Sequence, residues 1–198
     1  ELVRTGRLGS FLNVVGAERT REAQEMAVNG SRLGIPLIFG YDMIHGYATT
    51  FPIPLGEAAC WDLDLIKRSA EITAIEAAAA GVHWNFAPMV DIARDPRWGR
   101  IMEGAGEDPW WGSKVAVARV EGYQGDDLSS TRTIAATAKH FAAYGAAEGG
   151  RDYNTTEVSE HTLREIYLPP FMAAAKAGVA SFMNGFNDLN GTPASASH

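Results

Sequence analysis

The sequence predicts an α/β protein, a partial (β/α)8 barrel of the TIM type that contains the first half of the barrel or slightly more. Short apolar runs typical of strands alternate with longer segments that carry apolar residues at helical spacing. Several runs end directly in ionisable residues, at Asp42, at Asp91 and at Lys139-His140. Barrel enzymes place their catalytic-face side chains in this position, at the carboxyl ends of parallel strands.

Five strands and four helical connections are predicted, which are too few to close an eight-stranded barrel. The strands are expected near residues 8–13, 35–41, 82–90, 134–138 and 178–182, and the helices near residues 19–32, 62–81, 111–124 and 159–178. The segment Phe51-Pro52-Ile53-Pro54 contains too much proline for a helix and is predicted to be a loop.

Capping residues set the expected helix ends. Asp62 or Asp64 is expected to cap the second helix, and Gly81 to end it in the left-handed conformation that glycine adopts readily. Ser159 is expected to cap the last helix, and Pro169-Pro170 to break or kink it.

Composition narrows the class of protein. The 198 residues are 46% hydrophobic and 21% charged, which is typical of a globular domain. A net charge of −7 argues against a nucleic-acid partner, and no apolar run approaches the ~20 residues of a membrane span. Cys60 is the single cysteine, so no internal disulfide or cysteine metal site is expected. The start at Glu1 and an end at residues 194–198 that closes no element lead us to expect a fragment of a longer protein.

Lys139 and His140 are the strongest candidates for a site. Adjacent side chains of a regular strand point to opposite faces, so both reach one ligand only if the backbone is irregular there. Asp42 has two interpretations of about equal weight, as a turn cap or as a carboxylate that accepts hydrogen bonds from two sugar hydroxyls. His45 and His83 are interpreted as structural.

A basic and aromatic segment follows the third strand. Arg94, Arg97 and Arg100 alternate with acidic residues and are interpreted mainly as a solvated ion-pair network, in which one arginine facing the pocket would suit hydroxyl binding. For the tryptophans of this region we favour core positions over sugar stacking; they are Trp98, Trp110 and Trp111. The sequence has no Gly-x-Ser-x-Gly elbow, His-Glu-x-x-His motif, Walker loop or Gly-x-Gly-x-x-Gly loop, so neither metal nor nucleotide chemistry is supported.

A set of motifs in order along nearly the whole chain resembles glycoside hydrolase family 3. They are Gly40-Tyr41-Asp42-Met43-Ile44-His45-Gly46, Ala87-Pro88-Met89-Val90-Asp91, Arg94-Asp95-Pro96-Arg97-Trp98-Gly99-Arg100, Gly106-Glu107-Asp108-Pro109, Ala138-Lys139-His140-Phe141 and residues 187–194. Residues 7–13 and 49–54 are similar to the bacterial periplasmic β-glucosidases of this family.

The resemblance implies an N-terminal barrel, of which residues 1–198 are an incomplete part, followed by an α/β sandwich domain. It implies a retaining mechanism with an Asp nucleophile and a Glu acid/base, both expected beyond His198, so that no catalytic residue lies within the chain and the fragment alone is inactive. By position, Asp42, Arg100, Lys139 and His140 would hold the hydroxyls of the nonreducing glucose. Met183 and Phe186 would line the same subsite, with Phe186 standing where relatives often have Tyr.

The function predicted for the parent protein is that of a β-glucosidase acting on β-glucoside oligosaccharides or aryl glycosides, without a cofactor. Family members that remove N-acetylglucosamine usually have the motif Lys-His-Phe-Pro-Gly-His-Gly, and residues 139–145 lack its Pro and its second His. Two alternatives stay open: a β-xylosidase, and a noncatalytic carbohydrate-binding half-barrel. The resemblance implies a periplasmic or secreted location, and it leaves the oligomeric state open.

Overall fold

The computed structural model describes residues 1–197, in which strands alternate with helices as predicted. The strands are β1 (Ser10–Leu12), β2 (Ile38–Tyr41), β3 (Trp84–Asn85), β4 (Thr137–Phe141), β5 (Ser181–Asn184), β6 (Asp188–Leu189) and β7 (Thr192–Pro193). The helices are α1 (Ala17–Gly30), α2 (Pro54–Ala58), α3 (Leu63–Ala79), α4 (Pro109–Gln124), α5 (Glu160–Thr162) and α6 (Pro169–Lys176).

Strands β1 to β5 run parallel and follow one another in chain order. β1 pairs with β2 and β2 with β3, while β4 pairs with β5. A parallel bridge between Trp84 and Ala135 joins the two groups, with the Asn85 amide donating to the Ala135 carbonyl at 2.8 Å. The last two strands, β6 and β7, form a small antiparallel hairpin.

The predicted helix caps are confirmed. Asp62 Oδ1 accepts a hydrogen bond from the Leu65 amide at 3.0 Å, and Ser159 Oγ accepts one from the Thr162 amide at 3.1 Å. Gly81 has a φ of +81°, and a Cβ there would lie 2.1 Å from the hydroxyl oxygen of Thr20. Conformation and space therefore both require glycine at this helix end.

The strands predicted over residues 134–138 and 178–182 begin three residues later, at Thr137 and Ser181, and two further predicted elements differ in kind. Residues 51–54 are not entirely loop, because Pro54 is the first residue of α2; proline fits this position since its φ is already helical and its missing N–H is not needed there. The strand expected over residues 82–90 is regular only at Trp84–Asn85, and Pro88 within it has no N–H to donate to a neighbouring strand. The predicted break at Pro169-Pro170 is present, since a π-helical turn over Leu163–Tyr167 precedes α6.

Helices α3 and α4 pack closely and support the sheet from one side. A Cβ at Gly122 would lie 2.5 Å from the Lys67 carbonyl oxygen and 2.6 Å from Ala70 Cβ, so glycine permits this approach. The main core cluster joins these helices to the strands and to α6, and it includes Met43, Ala74, Val120, Ile134, Ala136 and Phe171. None of the helices within residues 1–197 has the length and apolar character that crossing a membrane requires.

Candidate functional site

The polar residues predicted at the strand ends lie together at one edge of the parallel sheet. Asp42 follows β2 directly, and Lys139 and His140 lie in β4. Met183 of β5 is the register partner of Lys139. Parallel strands present their carboxyl ends at a common edge, so residues distant in sequence meet there.

Asp42 and Lys139 form an ion pair in which the two side chains differ in exposure. Lys139 Nζ donates to both Asp42 carboxylate oxygens, at 2.9 and 2.8 Å. The Lys139 side chain is 1% exposed, whereas that of Asp42 is 48% exposed. The buried ammonium therefore fixes a carboxylate whose other side is open to solvent.

His140 is held by Asp91, which directly follows residues 87–90. Asp91 Oδ2 lies 2.9 Å from the His140 backbone amide and 2.9 Å from the ring Nδ1, and both side chains are 1% exposed. When Nδ1 donates its proton to this carboxylate, Nε2 is the ring nitrogen left to contact a ligand. Asp91 Oδ1 is buried without a hydrogen-bond partner among residues 1–197.

The backbone between Lys139 and His140 is irregular, as predicted. The peptide bond that joins them is cis, and the register against β5 shifts between Lys139 and Phe141. Lys139 contacts Asp42 while His140 contacts Asp91, so the two adjacent side chains reach two different carboxylates at the strand ends.

Arg100 reaches the same region from the loop that follows β3. Its Nε and Nη2 donate to the two carboxylate oxygens of Glu103, at 2.6 and 2.9 Å. Burial would raise the pKa of Glu103, but the hydrogen bond and charge of Arg100, with the charges of Lys139 and His140, hold the pKa below its usual value. Glu103 therefore stays ionised and fixes the guanidinium, leaving Nη1 outside this bidentate contact.

Aromatic rings complete the site. Phe186 is 53% exposed, and its ring centroid lies 5.4 Å from that of His140. The Arg100 guanidinium carbon lies 6.0 Å from the Phe186 centroid and 5.5 Å from that of buried Tyr144. The structure thus brings Phe186, Arg100 and His140 together, beside the Lys139 pair with Asp42 and beside Met183.

Other candidate residues are engaged within the fold. His45 Nδ1 lies 3.0 Å from the Phe51 carbonyl oxygen, and His83 Nδ1 accepts the Phe39 amide at 3.3 Å, which agrees with the structural interpretation of both. Arg97 pairs with Asp95 at the surface, as expected of a solvated ion pair.

The tryptophans divide into two groups. Trp98 and Trp111 are 1% and 6% exposed, as predicted for core residues. Trp110 is 62% exposed, so a core position is wrong for this residue. It lies in the first turn of α4, where its ring stacks on Trp111 and lies 5.6 Å from Lys114 Nζ.

Sequence reasoning did not assign roles to several residues of this region. Asp91 had a signal, since it ends an apolar run just as Asp42 does. Glu103 was interpreted as part of the ion-pair network, and it forms a local pair with Arg100. Tyr144 and Asp152 had no signal, because they contact Arg100 and Trp98 on another loop. These contacts require the folded chain.

Comparisons with known proteins agree with this geometry. Residues 1–198 match the family model described as Glycosyl hydrolase family 3 N terminal domain. The periplasmic β-glucosidase of Salmonella typhimurium is 42% identical over 196 residues, which are 99% of this chain and 26% of that protein. A β-xylosidase of Formosa agariphila is 40% identical over 189 residues, which are 89% of this chain and 26% of that protein.

Solved structures of β-glucosidases are also similar to this chain. The β-glucosidase of Listeria innocua in complex with isofagomine has a TM-score of 0.92 and 46% identity, covering 97% of this chain and 27% of that one. Its D270A mutant in complex with laminaribiose has a TM-score of 0.91 and 47% identity, covering 93% and 26%. The chain spans about a quarter of the length of these relatives. With a family model matched over its whole length, the chain belongs to glycosyl hydrolase family 3.

Proposed function

We propose that the parent protein is an exo-acting β-glucosidase that removes terminal non-reducing β-D-glucosyl residues from oligosaccharides or aryl glycosides. The observation that carries this proposal is the pair formed by Asp42 and Lys139, in which a buried cation holds an open carboxylate at the strand ends. Relatives named β-glucosidases, at 42–47% identity, support it.

Each polar residue of the site keeps hydrogen-bonding capacity that its contacts within the fold do not use. A carboxylate has about four lone-pair directions, and Lys139 occupies two, so Asp42 can accept from two neighbouring sugar hydroxyls. His140 offers Nε2 and Arg100 offers Nη1, since their other nitrogens bind Asp91 and Glu103. Because these groups are already held in position before the sugar binds, binding costs less conformational entropy.

The apolar residues of the site contact the carbon side of the sugar in this proposal. Phe186 exposes part of its ring beside His140, and Met183 lies in register with Lys139. Pyranose rings present C–H groups on their faces, and apolar side chains exclude water from the hydrogen bonds at the ring edge.

The catalytic carboxylates are proposed to lie on segments that follow residue 198. A retaining hydrolase needs a nucleophile and an acid/base about 5–5.5 Å apart. The carboxylates that contact the candidate sugar-binding cations within residues 1–197 have other roles, since Asp42 binds Lys139, Asp91 binds His140 and Glu103 binds Arg100. No cofactor is needed, because both displacement steps use only carboxylates and water.

The proposed parent has the architecture that the family resemblance implies. Residues 1–198 supply the first half, or slightly more, of a (β/α)8 barrel, further strands close it, and an α/β sandwich domain follows. The parallel order of β1 to β5 supports this proposal, and so does the quarter-length coverage of the relatives. The relative named periplasmic β-glucosidase supports a periplasmic or secreted location.

The test is an assay of the purified full-length parent on aryl β-glucosides and aryl β-xylosides. We expect a higher kcat/KM on the glucoside, with the β-anomer of glucose as the first product in proton NMR. An α-anomer first would contradict the retaining mechanism. A higher kcat/KM on the xyloside would favour the β-xylosidase alternative, which the Formosa agariphila relative supports. Glucose binding without turnover would indicate a noncatalytic module, and residues 1–198 alone are expected to show no turnover.

A further inference from the structure

Tyr144 touches several of the residues proposed to bind sugar, although it was not among them. Its ring lies edge-on to His140 at 5.1 Å and to Phe186 at 5.5 Å between centroids. The Arg100 guanidinium carbon lies 5.5 Å from the same ring centroid, within the range of a cation–π contact. Tyr144 is completely buried, so it supports these groups from beneath the site.

Asp152 fixes Tyr144 from the far end of the same loop. Its Oδ1 accepts a hydrogen bond from the Tyr144 hydroxyl and another from Trp98 Nε1 at 3.0 Å. Trp98 is 1% exposed and packs edge-on against the Tyr144 ring. Burial would raise the pKa of Asp152, but the hydrogen bonds from Tyr144 and Trp98 and the charge of Arg100 lower it, so the acceptor is an ionised carboxylate at neutral pH.

Each binding group is thus held from two sides. Arg100 has Glu103 at its Nε edge and the Tyr144 ring against its guanidinium. His140 has Asp91 at Nδ1 and the Tyr144 ring edge against its imidazole. Each carboxylate binds only one of the two groups, whereas Tyr144 contacts both and sets their position relative to one another.

We propose that Tyr144 and Asp152 are positioning residues, which hold Arg100, His140 and Phe186 in the arrangement that binds the terminal sugar. The inference rests on the proposed function and adds residues that do not themselves touch the sugar. A hydroxyl anchored by an ionised acceptor restrains the tilt of the ring, and a displacement of about 1 Å in a binding group lowers activity by up to about 10²-fold.

The experiment uses four variants of the full-length parent: Tyr144→Phe, Tyr144→Leu, Asp152→Asn and the double variant Tyr144→Phe/Asp152→Asn. The readouts are the inhibition constant for glucose, the kcat and KM on an aryl β-glucoside, and Tm. Tyr167→Leu is the matched control, because Tyr167 is also buried but packs in a cluster with Ile92 and Ala143 that contains none of Arg100, His140 and Phe186.

We expect Tyr144→Leu to weaken glucose inhibition at least about tenfold, and each of Tyr144→Phe and Asp152→Asn to weaken it about threefold. Because Asp152 acts through the Tyr144 hydroxyl, glucose should inhibit the double variant as well as it inhibits the more affected of the two single variants. Tyr167→Leu should lower Tm comparably to Tyr144→Leu and change glucose inhibition less than about twofold.

Two results would overturn the proposal. One is a glucose inhibition constant for Tyr144→Leu that changes no more than that of Tyr167→Leu. The other is full additivity of the Phe and Asn substitutions, which also decides the matter if Tyr144→Leu does not fold. Lys139→Ala distinguishes failure of the proposed function from failure of the positioning role. If this variant leaves glucose inhibition unchanged, the proposed function is wrong. If it weakens inhibition and the Tyr144 and Asp152 variants do not, only the positioning role is wrong.

Discussion

Two of the ion pairs within residues 1–197 join a buried lysine or arginine to a carboxylate from a distant part of the chain, yet they differ in where the carboxylate faces. In the pair between α2 and α4, Arg119 Nη2 binds Glu57 at 2.5 Å, with side chains 5% and 7% exposed. In the pair at the strand ends, Lys139 is 1% exposed but Asp42 is 48% exposed. One pair is closed, and the other is half open.

The closed pair can only serve the fold, whereas the half-open pair has capacity for a ligand. Burial of both charges costs several kcal/mol each, which the closed pair offsets by mutual attraction and hydrogen bonding. At the strand ends the ammonium bears that cost, while the carboxylate keeps contact with solvent. Stability measurements should therefore respond to the first pair, and glucose affinity to the second.

The largest expected effect is that of Arg119→Met in the full-length parent. This change leaves the Glu57 carboxylate buried without its cation, which costs about 3–5 kcal/mol. Thermal unfolding should show a Tm lower by roughly 10 °C, while kcat/KM per folded molecule stays near the wild-type value.

The double variant Glu57→Leu/Arg119→Met is the control for that prediction. Replacing both charges by apolar groups removes the unpaired carboxylate, so the double variant should melt at a higher temperature than Arg119→Met alone. A double variant that is less stable than the single one would show that the pair stabilises the fold beyond mutual neutralisation.

The next effect in size is that of Lys139→Ala, or of His140→Ala, on activity. Each removes a donor proposed to bind a glucose hydroxyl more strongly in the transition state, so kcat/KM should fall about 10²-fold, which is about 2.7 kcal/mol. Kinetics and Tm are measured on the same purified variants. A large drop in Tm with per-molecule activity intact would place the residue with Arg119, as part of the fold alone.

The strand-end residues were predictable from sequence and the closed pair was not. Asp42, Lys139 and His140 each end or follow an apolar run, and local pattern alone places such residues at the edge of a parallel sheet. Glu57 lies three residues after the segment 51–54, whose prolines suggested a loop, and its partner Arg119 is 62 residues away. Only packing of α2 on α4 brings them together, so propensity gave no signal.

The same limit applies around the candidate site. The sequence indicated that Lys139 and His140 can both reach one ligand only if the backbone there is irregular, and the register against β5 does shift at this point. The resemblance supplied Arg100 and Phe186 by position. It did not supply the contacts of Tyr144 with both of them, since a buried tyrosine has no distinguishing pattern in a single sequence.

A smaller effect is expected from Asp42→Asn. The amide keeps the size of the side chain but accepts through one oxygen only, so it matches one of two sugar hydroxyls and loses the charge attraction of Lys139. Competitive inhibition by glucose should weaken about tenfold, about 1.4 kcal/mol. Tm should fall as well, because the buried Lys139 ammonium loses its counter-ion. Unchanged inhibition would return Asp42 to the role of a turn residue.

The smallest effect concerns a pair intermediate between the other two, Arg100 with Glu103, whose side chains are 21% and 18% exposed. Burial opposes ionisation of Glu103, but the hydrogen bond and charge of Arg100 and the charges of Lys139 and His140 lower its pKa in the folded protein. A lowered folded pKa stabilises the fold at pH values above the unfolded value of about 4.3, and the stabilisation is lost as pH falls through the folded value. Glu103→Gln should therefore lower Tm at pH 7 by about 2–4 °C, about 1 kcal/mol, and the difference from wild type should shrink as the pH falls below the unfolded value and vanish below the lowered folded pKa. Asp95→Asn at the solvent-exposed Arg97 pair is the matched control and should change Tm less. A difference for Glu103→Gln that persists undiminished at acid pH would show that packing, rather than the ion pair, connects this loop to the site.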